Sequence, residues 1–143
     1  MDTVTFMSYN STGFDSIKAK FISDLSDDYK IDFISIQEHF KFVNCDRLFK
    51  PISEFNCYVI PGYRRPGQLV GRAKGGLAQL RRKTCDVKVT RIATSSFRIQ
   101  AQVLNLPTCK VLWLNTYLPV DPQLIQYDDR ELQDVLMEIR SII

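Results

Sequence analysis

Ile31-Asp32-Phe33-Ile34-Ser35-Ile36-Gln37-Glu38 is the stretch that decides the fold. Its β-branched and aromatic residues make a strand, and that strand ends in a carboxylate. Upstream, Val4-Thr5-Phe6-Met7-Ser8-Tyr9 has the same character and runs into the turn residues Asn10-Ser11-Thr12-Gly13. Between the two, Ile17, Phe21, Ile22 and Leu25 recur at helical spacing, with Asp15 placed to cap and Asp27-Asp28 as the stop. Strand, helix, strand implies parallel pairing through a right-handed crossover. The ends carrying Asn10 and Glu38 are then expected on one edge of the sheet, where open α/β sheets keep their active sites.

Downstream the pattern changes. A helical turn is expected from Cys45 to Ile52, a strand at Cys57-Tyr58-Val59-Ile60, and a Gly-, Pro- and Arg-rich loop from Pro61 to Lys74. Leu77-Ala78-Gln79-Leu80, Asp86 to Ile92, Phe97 to Leu104 and Lys110 to Tyr117 are short β-type runs separated by turn residues, the pattern of antiparallel meanders. Leu132, Val135, Leu136, Ile139 and Ile142 form an apolar helical stripe from about Asp128 to the end, with acids in its first turn. The expected class is α/β, a mixed β-sheet with helices on one face, in one domain over residues 1–143. No internal repeat or linker divides it.

Composition narrows the partners. With 45% hydrophobic residues the chain can bury a core, and no apolar run approaches the length that spans a bilayer, so no membrane partner is expected. Cys45, Cys57, Cys85 and Cys109 include no CxxC pair and have only His39 as an imidazole neighbour in the sequence. Reduced thiols in an intracellular, nuclear or cytoplasmic setting are expected over a zinc site, and secretion is not. The net charge of +3 is unevenly spread. No carboxylate lies between Glu54 and Asp86, a gap that holds Arg64, Arg65, Arg72, Lys74, Arg81, Arg82 and Lys83. From Asp121 to Glu138 six acids face one Arg. The middle of the chain thus projects a field suited to phosphate, although a solvated basic loop has the same composition.

Hydrolysing a phosphodiester requires a hard cation on the phosphoryl oxygen, a base that orients water, and donors that neutralise developing charge. Glu38 is the natural metal ligand, since Mg²⁺ accepts one or two carboxylates while keeping several waters. Standing alone, it would be an ordinary Glu at a strand terminus. Asn10 on the neighbouring strand end argues otherwise, as a group that positions phosphate or metal-bound water, although Asn before Ser-Thr-Gly is also good turn chemistry. Tyr117 presents a phenol from a third strand end, with Asn115 two residues back on the same face. His39 follows Glu38 directly, so strand alternation turns it the other way, and it is expected to be structural.

These motifs resemble the endonuclease/exonuclease/phosphatase superfamily, and in particular the apurinic-type endonuclease domain of non-LTR retrotransposons. The likeness rests on Phe6-Met7-Ser8-Tyr9-Asn10 with Gly13, on Ile34-Ser35-Ile36-Gln37-Glu38-His39, on Gly75-Gly76-Leu77-Ala78 and on Leu114-Asn115-Thr116-Tyr117-Leu118-Pro119. It implies part of a four-layer α/β sandwich, Mg²⁺ (or Mn²⁺) dependence and cleavage of a nucleic-acid phosphodiester, DNA above all. It implies further that Asn10 and Glu38 match the family's first Asn and metal-binding Glu, and Tyr117 its active-site tyrosine. The family's Gly-Asp-x-Asn and Ser-Asp-His segments are expected beyond Ile143, so a 143-residue chain is expected to hydrolyse little. Because the family packs two sheets face to face, a chain supplying mainly the first is expected to self-associate through the uncovered face. A non-catalytic nucleic-acid-binding module and a phosphatase of inositol phosphates or phospholipid headgroups share the same basic loop. An unrelated nucleotide-binding α/β domain would lack support from any glycine-rich phosphate loop after the first strand.

Overall fold

The computed structural model describes residues 3–118 and 129–143. Pro119, Asp121 and Asp128 lie outside the described residues. The elements follow in the order β1 (Phe6–Asn10), α1 (Ser16–Asp28), β2 (Phe33–Gln37), a 3₁₀ turn (Cys45–Arg47), β3 (Phe55–Ile60), β4 (Leu77–Arg82), β5 (Lys88–Ile92), β6 (Ile99–Asn105), β7 (Lys110–Thr116) and α2 (Asp129–Ile142).

The β1–α1–β2 unit forms as its residues dictate. Asp15 caps α1, its Oδ1 accepting from the Lys18 amide at 2.8 Å, and β1 pairs parallel with β2 so that Asn10 stands opposite Gln37. The face α1 buries differs from the expected stripe: Ala19, Ile22 and Ser26 are buried, whereas Ile17 and Phe21 are exposed. Small residues at 19 and 26 let the helix lie close against the sheet. Phe21 is then left to lean on Tyr9, ring centres 6.1 Å apart. Beneath the helix sits a core of Phe14, Ile34, Ile36, Phe49, Ile52 and Leu80.

The class is α/β, as expected, and its strands form two sheets. The first has the order β1-β2-β4-β3, with β4 antiparallel to β2 and β3; the second is the antiparallel meander β5-β6-β7. The second sheet folds over the first, and this corrects the expectation of an inner face left in water. Phe33, Cys85, Val87, Leu104 and Trp113 form the apolar part of the layer between them. The rest of that layer is polar. The Gln102 Nε2 donates to Gln79 Oε1 (2.9 Å), Gln79 Nε2 to the Trp113 carbonyl (3.0 Å), and Trp113 Nε1 to Ser35 Oγ (2.8 Å). Each of these groups is satisfied, as burial in low dielectric requires.

Candidate active-site cleft

Parallel register brings the sequence-identified groups together. Asn10, Gln37, Glu38, Asn115 and Tyr117 all line one open cleft of about 720 Å³, which runs along β1 and β7, one edge strand of each sheet among the described residues.

Glu38 follows the last residue of β2 in the left-handed region, at φ 59°. A non-glycine residue there costs about 1–2 kcal/mol. What holds it is its own carbonyl, which accepts from the Gly13 amide at 2.7 Å and the Ser11 hydroxyl at 3.1 Å. The kink leaves Glu38 in the cleft and sends His39 into the core. His39 is fully buried, with Nε2 donating to the Ile60 carbonyl (2.9 Å) and Nδ1 accepting from the Lys41 amide (3.0 Å). Burial lowers its pKa, so the ring is a neutral structural post. Gly76 is needed beside it, because a Cβ there would stand 2.4 Å from the ring and its φ is +94°.

Asn10 is exposed, and its Oδ1 accepts from both the amide (3.2 Å) and hydroxyl (3.3 Å) of Thr12. The side chain therefore closes the turn while facing the cleft. Tyr117 is half-buried against Gly75. Burial first, then the charge of Glu38 and a hydrogen bond with its carboxylate, raise the phenol's pKa, against the lowering effect of Arg98. The phenol stays protonated through the neutral range and is a donor.

Asn115 is placed differently from Tyr117. It is fully buried, and its amide is spent on the scaffold: Nδ2 donates to the carbonyls of Ile36 (3.0 Å) and Ala78 (3.0 Å) and to Gln100 Oε1 (3.2 Å), while Oδ1 accepts from Gln37 Nε2 at 2.7 Å. It clasps the two sheets directly behind the cleft.

Two residues of this region escaped the sequence reading. Gln37 ties three strands, its Nε2 donating to Ser8 Oγ (3.2 Å) as well as to Asn115. Arg98, only 4% exposed, backs Tyr117: its guanidinium lies 5.2 Å from that ring, 5.3 Å from Tyr63 and 5.2 Å from Phe97, donates to the Tyr63 hydroxyl (3.0 Å), and pairs with Glu131 of α2 at 2.7 Å. A lone Arg after Ser95-Ser96-Phe97 resembles a surface turn, and only the acids of the distant helix hinted at a partner.

The basic residues form two groups. Arg64, Arg65, Arg72 and Lys74 are exposed around a loop whose neck, a mutual Tyr63–Lys74 backbone pair at 2.9 Å, sits beside Gly75 and Tyr117. Arg72 stacks on Phe40 at 4.1 Å and Arg64 on Phe42 at 5.5 Å. Arg81, Arg82 and Lys83 are at the far end of β4: Leu77 pairs with Gln37 but Arg81 with Phe33, a separation of about 13 Å along the strand. Arg82 there binds the carbonyls of Ile31 and Ser26 and the Asp27 carboxylate, and Arg81 the Val87 carbonyl. The structure does not bring this second group to the cleft.

All four cysteines are free, and burial pushes the Cys57 thiol up to about 11. Among the described residues no helix is long and apolar enough to cross a membrane.

Two packed sheets with helices and a cleft at their strand ends define a mixed α/β fold. In particular, the chain is similar to the AP endonuclease LMAP from Leishmania major, with a TM-score of 0.71 and 15% identity over 96% of this chain and 47% of that one. It is similar also to the endonuclease domain of TRAS1, a telomere-specific non-LTR retrotransposon (TM-score 0.62, 13% identity, 95% of this chain and 52% of that one). A third similar structure is D. rerio TDP2 complexed with single strand DNA product (TM-score 0.59, 15% identity, 98% of this chain and 56% of that one). The chain thus spans about half the length of these structures, and the likeness is one of fold. No protein-family model and no curated protein matches the sequence.

Proposed function

We propose that this chain forms one wall of the catalytic cleft of a divalent-metal-dependent nucleic-acid phosphodiesterase, an endonuclease-type hydrolase. The observation that carries the reading is the convergence of the Asn10 amide, the Glu38 carboxylate and the protonated Tyr117 phenol on one cleft. Among the described residues no three His, Cys, Asp or Glu side chains cluster as a metal cage. That donor set fits Mg²⁺ or Mn²⁺ better than zinc: a hard cation is satisfied by one carboxylate, Glu38, and its own waters. When bound, the ion supplies positive charge that polarises a phosphoryl oxygen.

The chain's own groups do the rest of what this wall can do. Tyr117 donates from its phenol to a phosphate oxygen, held in place by Arg98 from behind. The Asn10 amide orients phosphate or water on the other side, and the Asn115–Gln37 clasp keeps the two strand ends at fixed separation. The only histidine is locked in the core, and Glu38 is the one carboxylate among the described residues that line the cleft. The chain alone therefore binds substrate and metal and hydrolyses little. The similar structures, an AP endonuclease, a retrotransposon endonuclease domain and a protein held with a DNA product, support nucleic acid as the substrate class.

The test is fluorescence anisotropy of a labelled DNA duplex titrated with the chain in Mg²⁺ and in EDTA. Tighter binding in Mg²⁺, with the metal effect removed by Glu38→Gln, is the expected result. Equal binding in both buffers by both proteins refutes a metal site at Glu38.

A further inference from the structure

The loop that leaves the neck at Tyr63 and Lys74 has a tip with a definite architecture. In Pro66-Gly67-Gln68-Leu69-Val70-Gly71, two glycines at φ 79° and 100° bracket the turn. The Gln68 side chain laces it from within, with Oε1 accepting from the Arg65 amide (3.1 Å) and Nε2 donating to the carbonyls of Val70 (3.2 Å) and Arg72 (3.4 Å). These internal bonds leave two apolar side chains outermost: Leu69 is 88% and Val70 85% exposed. Around them stand Arg64, Arg65, Arg72 and Lys74, with no carboxylate in the sequence from 55 to 85.

Resting on the phosphodiesterase reading above, we propose that Leu69 and Val70 are a wedge that enters the base stack of duplex DNA beside the phosphate held in the cleft. Proteins that kink DNA insert one or two apolar side chains at a base step and grip the flanking phosphates with Arg and Lys, which is the chemistry this tip carries. Three of the four cations are arginines, two of them stacked on Phe40 and Phe42, which suits planar phosphate gripping. Two side chains are too little apolar surface to hold a bilayer, for which even a single acyl chain is marginal. The lacing by Gln68 orders the tip before binding and so lowers the cost of inserting it. From the neck to the tip the chain reaches at most about 17 Å, so the opened step lies within about five base pairs of the phosphate at the cleft.

The experiment uses the 143-residue chain and duplexes carrying 2-aminopurine, which brightens when unstacked, at successive positions. Wild type is expected to bind and to brighten the analogue over a narrow window. Leu69→Ser/Val70→Ser, at exposed positions that leave the fold intact, is expected to abolish the brightening and weaken binding about tenfold with an unchanged salt slope. Arg64→Ala/Arg65→Ala should lower that slope by about two. Wild-type binding and brightening that the tip substitutions leave unaltered overturn the wedge alone. Failure of wild type to bind any duplex overturns the phosphodiesterase reading with it. Binding to phosphatidylserine vesicles that depends on Leu69 and Val70, without brightening on DNA, overturns the wedge in favour of a lipid surface.

Discussion

Asn115→Leu separates a scaffold role from a chemical one. Leucine keeps the branching of asparagine with two methyls in place of the amide oxygen and nitrogen, so the substitution opens no cavity, removes the polar partners and adds some overpacking. The Gln37 Nε2 and Gln100 Oε1 each lose a bond, of 2.7 and 3.2 Å, and the Ile36 and Ala78 carbonyls each lose a donor. Gln37 Nε2 keeps Ser8, but Gln100 keeps the Tyr58 carbonyl only through its Nε2, so its Oε1 is left short together with the two carbonyls. Leaving a buried polar group short costs about 1–3 kcal/mol, and three such groups near the low end total about 3 kcal/mol. With a urea dependence of about 1.5 kcal/mol per molar, the unfolding midpoint falls by about 2 M. Trp113, the single tryptophan, is buried two residues away and reports the transition by fluorescence. An unchanged midpoint would refute the clasp, and with it the idea that a polar layer between the sheets fixes the cleft.

Gly76→Ala should be at least as damaging, since the new methyl collides with the buried His39 ring and the backbone is left-handed; a loss of about 3–5 kcal/mol is expected from thermal or urea unfolding, and His39→Ala in the same chain should recover part of it. His39 also gives the stability a pH dependence. Its folded pKa lies below the ordinary 6.5, so its contribution is full above that value and fades as pH falls through the folded pKa, by at most about 1.4 kcal/mol per unit. Unfolding midpoints measured between pH 7 and 5 should decline in wild type and flatten in His39→Gln. With the inner sheet face covered, dimers are expected at the strand edges, since β1 and β7 are unpaired on one side among the described residues; light scattering should show dimers in wild type and monomers in Phe6→Lys, a change at an exposed edge position.

The elements that line the cleft were legible because their signals are local. A parallel β1–β2 pair follows from strand–helix–strand order alone, and with it the shared edge of Asn10 and Glu38. Gly75-Gly76 was visible as a motif, yet its reason, contact with the Tyr117 and His39 rings, belongs to three distant segments. The meander of the second sheet was legible from its short alternating runs, but its packing over the first was not, because that packing is carried by Gln79, Gln100, Gln102 and Asn115, whose bonds join distant strands. Arg98 was hidden for a related reason: a buried cation is recognisable only by its partners, and Tyr63, Tyr117 and Glu131 lie 19 to 35 positions away. The charge pattern located the basic loop but merged it with Arg81, Arg82 and Lys83, which strand register carries to the opposite end. His39 was read as structural from strand alternation; it lies in the core, but a kink at Glu38 puts it there.

Paramagnetic broadening by Mn²⁺ in the NMR spectrum of the isotopically labelled chain tests most directly whether Asn10, Glu38 and Tyr117 form a cation site. Resonances of those three residues should broaden first at low Mn²⁺, recover on adding excess Mg²⁺, and stay sharp in Glu38→Gln. Broadening centred on the acids of α2, or spread evenly over the surface, would contradict a cation held at the strand ends.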